Sequence, residues 1–183
     1  TRLINYKGFP IDTGTIVVQK LLNPDNRLPA AIVSCNMYSE KEETTRIGQA
    51  AARALQRSGK KAVAILVSNL SNRFHVKKID PRSDFISSKK DDEWNHKILD
   101  MLAKGDVEDV AQCVREFARQ ANGDMKFKGL WWLNGLLGQS NDFEGQVYAY
   151  EPIWGSGAAL VGLKPTKPVQ AVDLDSIMGS EEG

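Results

Sequence analysis

Two short apolar runs, 28–34 and 62–67, flank a stretch with helical periodicity, and that order restricts what the chain can fold into. Leu28-Pro-Ala-Ala-Ile-Val-Ser34 reads as a buried strand closing on Cys35-Asn36. Ala62 to Val67 is too short and too rich in β-branched residues to suit a buried helix. Between them, Ser39-x-x-Glu42 has capping-box spacing, Ile47, Ala50, Ala51, Ala54 and Leu55 share one face, and Ser58-Gly59 is a stop. Strand, helix and strand with a crossover of this length imply parallel neighbours in a covered sheet. The expected class is α/β: a central, mostly parallel or mixed sheet flanked by helices in a single domain.

The rest of the chain fills in that frame. Asp12 or Thr13 offers an N-cap for the apolar run Thr15 to Leu22, which Asn23-Pro24 ends. Residues 73–90 read as irregular. Trp94, Ile98, Met101 and Leu102 give one helical face, and Val107, Val110, Ala111, Val114, Phe117 and Ala118 another, with Gly105-Asp106 between them as stop and cap. Phe127, Leu130, Trp131, Asn134 and Leu137 outline a third helix, apolar on most sides and therefore central. Gly145 to Trp154 and Ala158 to Leu163 read as strands joined through Gly155-Ser156-Gly157.

Composition narrows the function. With 183 residues, 42% hydrophobic and 26% charged, the chain is long enough for one domain with a proper core. A net charge of +1 with scattered lysines and arginines gives no electrostatic case for nucleic acid or an anionic membrane. No apolar run approaches a membrane span and no secretory h-region follows the N-terminus, so a cytoplasmic protein is expected. Cys35 and Cys113 belong to no C-x-x-C pair and read as buried thiols. Thr1-Arg-Leu-Ile-Asn-Tyr6 reads like the middle of a longer sequence, which suggests a C-terminal part or a processed chain. Residues 169–183 form an acidic tail expected to fray.

Ile65 to Arg73 is the most informative stretch for chemistry, a buried strand running out into a polar turn where α/β proteins commonly place their sites. The tip of that turn is Asn72, whose amide cannot take up a proton near neutral pH. A catalytic zinc or iron needs two or three imidazoles or carboxylates in fixed positions, and only His75 and His96 occur. His96 lies in a helix and reads as solvated; His75 follows the strand-end turn and is the better candidate. Ser71 lacks the glycines of a nucleophile elbow. Gly155-Ser-Gly157 lacks the lysine and helix of a phosphate loop and reads as a tight turn. Asp124 is the one carboxylate in a suggestive place, with capping of the Trp131 helix as the simpler role. Trp131-Trp132 reads as core and interface. Asp91-Asp92-Glu93 suits the start of a helix through its dipole.

Together, Gly8-Phe-Pro-Ile-Asp-Thr-Gly14, Val67-Ser-Asn-Leu-Ser-Asn-Arg73, Lys90-Asp-Asp-Glu-Trp-Asn95, Ala121-Asn-Gly-Asp with Trp131-Trp-Leu133, and Tyr148-Ala-Tyr-Glu-Pro-Ile-Trp-Gly155 resemble the class III extradiol ring-cleaving dioxygenases. The likeness runs over residues 5–165 and is closest to the α-type subunit of the two-subunit 2-aminophenol 1,6-dioxygenases. In that family two N-terminal histidines and a glutamate hold Fe(II), and a separate histidine after a strand moves the substrate proton. The resemblance puts Asn72 at that histidine's position and Asp124 as the only carboxylate in the glutamate's region. It implies that residues 1–168 are the C-terminal portion of the family domain, without the segment bearing the iron histidines.

The resemblance therefore implies a non-catalytic α-type subunit with no cofactor of its own. Such a subunit would stabilise a homologous catalytic subunit that carries Fe(II) and opens an aminophenol or catechol-like ring, in a hetero-oligomer. Two alternatives stay open. One is part of an active dioxygenase whose iron histidines lie on another segment, with Asp124 as the carboxylate and His75 as the base. The other is a family-derived binding protein without dioxygenase activity.

Overall fold

The computed structural model describes residues 11–170, which fall into two compact units, the first ending at Cys35 and the second starting at Asn36. The first holds helix α1, Thr13–Leu22. Asp12 caps it as expected: Oδ1 accepts from the Thr15 N–H at 2.8 Å and Oδ2 from the Thr15 hydroxyl at 2.6 Å. Those two bonds hold the Asp12 carboxyl below the usual range. Past the helix, the Asn23 side chain donates to the Leu28 carbonyl at 2.8 Å and accepts from its N–H at 3.1 Å, closing the turn around Pro24.

The second unit carries α2 (Lys41–Ser58), α3 (Lys89–Lys104), α4 (Val107–Ala121), α5 (Gly129–Leu136) and an antiparallel hairpin of β1 (Phe143–Ile153) and β2 (Ser156–Pro165). Glycines Gly59 and Gly105, both at positive φ, end α2 and α3 as left-handed caps. Ile98, Leu99 and Leu102 of α3 meet Val110, Val114 and Phe117 of α4 and Leu130, Trp131 and Leu133 of α5 in one core. Trp131 lies at its centre, and its indole N–H reaches the Ala111 carbonyl at 2.8 Å, so the ring is buried without an orphan donor. The third helix is thus central, and Trp131 belongs to the core.

The α/β class holds, but the sheet differs from the mostly parallel or mixed one expected. Among the described residues it is a two-stranded antiparallel hairpin, and neither 28–34 nor 62–67 is a strand. An apolar run records a tendency to be buried, whereas a strand also needs a neighbour to share its ladder. Leu66 packs on the core, while Val63 stays 85% exposed and Ile65 and Val67 nearly half exposed. Cys35 accordingly ends no strand; Cys113 is half-buried in α4.

Helix α2 departs from its periodicity. Its cap is Glu40, not Ser39, and no side chain closes a capping box. Its buried face is Thr44, Thr45, Gly48, Gln49 and Ala52, while Ala50, Ala54 and Leu55 remain exposed. Close approach to α5 explains the choice. A Cβ on Gly48 would lie 2.1 Å from the Trp132 carbonyl oxygen, and one on Gly135 would lie 2.3 Å from that of Thr45. Two glycines facing each other's helix let the backbones touch, and that fit outranks the apolar stripe.

The hairpin turns at Trp154-Gly155, with φ of 53° and 89°, the positive pair demanded by the tightest two-residue hairpin turns. The expected tight turn is present at Gly155 but starts one residue earlier, at Trp154, and Ser156 and Gly157 already belong to β2, where they pair with Ile153 and Pro152. Residues 169 and 170 are the only part of the expected acidic tail within the described residues.

Candidate functional site

The turn after Leu70 is wedged between two other segments. The Leu70 N–H donates to the Gly157 carbonyl at 2.8 Å and the Leu70 carbonyl accepts from the Asp124 N–H at 2.9 Å. Ser71 bridges Gly123, and the Asn72 N–H donates to the Asn122 carbonyl at 3.0 Å. The start of β2 and the loop after α4 therefore clamp the 68–73 turn from both sides. Leu70 and Ser71 are buried.

This clamp brings Asn72 and Asp124 together. The Asn72 amide donates from Nδ2 to Asp124 Oδ1 at 3.0 Å, and its Oδ1 faces the Ser156 hydroxyl at 3.4 Å. The other carboxylate oxygen of Asp124 accepts from the Asn69 N–H at 3.1 Å and lies 3.3 Å from the Ser68 hydroxyl. Ser68 has one proton, shared between that contact and the Asn69 carbonyl 3.0 Å away. Asp124 is thus the acceptor that stitches the turn together. It does not cap the Trp131 helix: α5 opens after Lys128 without a side-chain cap, and a short 3-10 turn, Asp124–Phe127, intervenes.

A second polar layer, missed in the sequence, lies beneath the turn. Asn95, fully buried on α3, accepts from the Ser71 N–H at 3.0 Å and donates to the Ser71 hydroxyl at 2.8 Å and the Tyr150 hydroxyl at 2.9 Å. Tyr150 donates onward to Asp92 at 2.7 Å. Burial first, then the neighbouring Asp92 carboxylate, pushes the Tyr150 phenol well above its usual range. Arg73 Nε pairs with buried Asp91 at 2.9 Å. The acidic run 91–93 therefore supplies partners to the turn as well as to the helix dipole. Its visible signal was the spacing Asp91, Asn95, Ile98, which places two polar residues on the core face of α3.

His75 is held elsewhere in the same region. Its Nε2 lies 3.1 Å from Asp84 Oδ1 and 3.0 Å from the Phe85 carbonyl, so two acceptors require the proton on that nitrogen. Its ring stacks obliquely on Phe85 at 4.5 Å. Asp84 also accepts from the N–H groups of Trp154, Gly155 and Phe85. Burial opposes charge on Asp84, but these N–H donors and His75 outweigh it and hold the carboxyl below its usual range. His96 is largely exposed, with Nδ1 2.9 Å from the Asp92 carbonyl.

The donor set does not fit a ferrous centre. Both oxygens of Asp124 are engaged by hydrogen-bond donors, and His75 Nε2 is turned to Asp84 and Phe85. Among the described residues no three His, Cys, Asp or Glu side chains gather to hold a metal.

An α/β chain whose 68–73 turn is fixed by the 122–124 loop and a closing hairpin falls within a known class: it belongs to the family described as the catalytic LigB subunit of aromatic ring-opening dioxygenase, whose profile matches residues 3–161. Among individual proteins, it is similar to the 2-aminophenol 1,6-dioxygenase alpha subunit of Pseudomonas sp, 33% identical over 159 residues, covering 86% of this chain and 58% of the relative. It is also similar to the beta subunit of 2-aminophenol 1,6-dioxygenase from Pseudomonas sp, 25% identical over 172 residues, covering 88% of this chain and 56% of the relative. The chain spans little more than half the length of either relative. No helix among the described residues is long and apolar enough to cross a membrane.

Proposed function

We propose that this chain acts as a non-catalytic α-type subunit of a two-subunit extradiol dioxygenase, stabilising a homologous β-type chain that binds Fe(II) and opens an aminophenol or catechol-like ring. The observation that carries the reading is the state of Asn72. The residue stands where the family resemblance puts the proton-transferring histidine, and its amide is tied to Asp124 and Ser156. An amide so placed holds the turn in shape and transfers no proton. The likeness to an alpha subunit supports the same role. The complex would be a cytoplasmic hetero-oligomer.

The test is co-expression with a β-type chain and assay of 2-aminophenol opening. Turnover and iron that follow the β-type chain, and that survive Asp124→Ala in this chain, support the reading. Loss of iron on Asp124→Ala, with the complex intact, would favour the alternative in which Asp124 completes an active centre with histidines from another segment. A stable complex that never forms would favour a family-derived binding protein.

A further inference from the structure

A cleft of about 320 Å³ on the face of α4 is lined by Arg115, Arg119, Lys126 and Lys128, with Glu40 as the only acid and Trp131 and Ala118 beneath. Lys128 is almost fully buried, and its ammonium donates to the carbonyls of Met37 and Ser39 at 2.7 and 2.6 Å. It also lies 3.4 Å from Glu40, and its charge, helped by Arg115, holds the Glu40 carboxyl below the usual range. Arg115 and Arg119 lie one turn apart on α4, both largely exposed; Arg115 pairs with Glu40 at 3.1 Å and Arg119 with Glu116 at 2.5 Å, leaving each guanidinium further N–H groups, and Gln120 also donates to Glu116. Lys126 is exposed and forms no ion pair with another described residue.

The backbone that carries Lys126 is strained. Met125, Lys126 and Phe127 have φ of 48°, 56° and 54°, three consecutive non-glycine residues in the left-handed region. Packing of Phe127 on Phe117 at 4.8 Å and burial of Lys128 anchor the far end of this turn. Nothing in the core needs a side chain at 126, where glycine would be at ease. Strain kept at a lysine on the lip of a cationic cleft points to a ligand.

We propose that this cleft is an oxyanion site that takes a small carboxylate or phosphate between Arg119 and Lys126, with the Arg115 and Lys128 charges behind it. The guanidinium fork of Arg119 suits a planar or tetrahedral oxyanion, and Lys126, lining the same cleft, adds a point charge. The site adjoins the Asn72 turn, since Lys126 lies two residues past Asp124 and its N–H donates to the Gly123 carbonyl at 3.0 Å, but it does not depend on the subunit reading.

Calorimetric titration and thermal unfolding of the full chain with phosphate, with benzoate and with sodium chloride at equal ionic strength test it. Saturable binding of phosphate or benzoate beyond chloride is expected, and the tighter of the two names the oxyanion. Arg119→Gln should weaken that binding about tenfold. Lys126→Gly should weaken it comparably while raising the unfolding midpoint, a pairing that a purely structural lysine would not produce. No saturable binding beyond chloride, unchanged affinity in both variants, or a lowered midpoint in Lys126→Gly would overturn the proposal.

Discussion

Asn72 Nδ2 and Asp124 Oδ1 meet at 3.0 Å across a separation of 52 residues, and this bond joins the 68–73 turn to the loop after α4. Asn72→Ala removes the donor and leaves a half-buried carboxylate oxygen without its partner, a loss of about 1–3 kcal/mol. Asn72→Asp should cost more, because two carboxylates would then face each other. Urea unfolding of the three proteins checks the order. Asn72→His by itself should create no ring-opening activity in this chain, which an oxygen-uptake assay would read directly.

The helix pair α2–α5 rests on Gly48 and Gly135. Gly48→Ala would drive a methyl group to 2.1 Å from the Trp132 carbonyl and force the helices apart. A loss of at least about 1–3 kcal/mol is expected. Alanine at exposed Gly59 meets no neighbour but sits at φ 63°, so its cost should be near 1 kcal/mol and come from backbone strain alone. Comparing the two midpoints separates collision from conformation.

Asp84 fastens the Trp154-Gly155 turn through its carboxylate. Because folding lowers its pKa, its stabilising contribution is fully present above the unfolded carboxyl pKa, near 4, and is lost as pH falls through the lower folded value. Asp84→Asn should therefore flatten the acid limb of the stability–pH curve while lowering stability at pH 7. An acid limb identical to that of the parent would contradict the assignment.

Tyr150 links Asn95 to Asp92 under the turn. Tyr150→Phe leaves one Asn95 donor without an acceptor, and about 1–2 kcal/mol should be lost. The raised phenol pKa means that folded protein keeps this proton beyond pH 10. Stability from the hydroxyl is present below that pH and falls as pH climbs toward the folded value. Ultraviolet titration of parent and Tyr150→Phe chains should differ by a tyrosinate that appears late or only on unfolding.

Local sequence determined most of the helices and the stops between them. Asp12, Gly59 and Gly105 cap where the residue types require, and the periodic faces of α3 and α4 are the ones that pack. A turn at Gly155 and the central place of Trp131 were also readable, since a glycine between two strand-like runs marks a turn and the other rests on a helix apolar nearly all round, whereas the positive φ of Trp154 was not. Tertiary structure alone decided the buried face of α2, the unpaired state of 62–67 and the partners of Asp124, Asn95 and Asp84. These depend on backbone contacts and hydrogen bonds between residues 24 to about 90 positions apart, which no local period encodes. Asn72 shows both: the sequence revealed an amide in the polar turn after an apolar run, and only the fold revealed that the run is unpaired and that Asp124 holds the amide there.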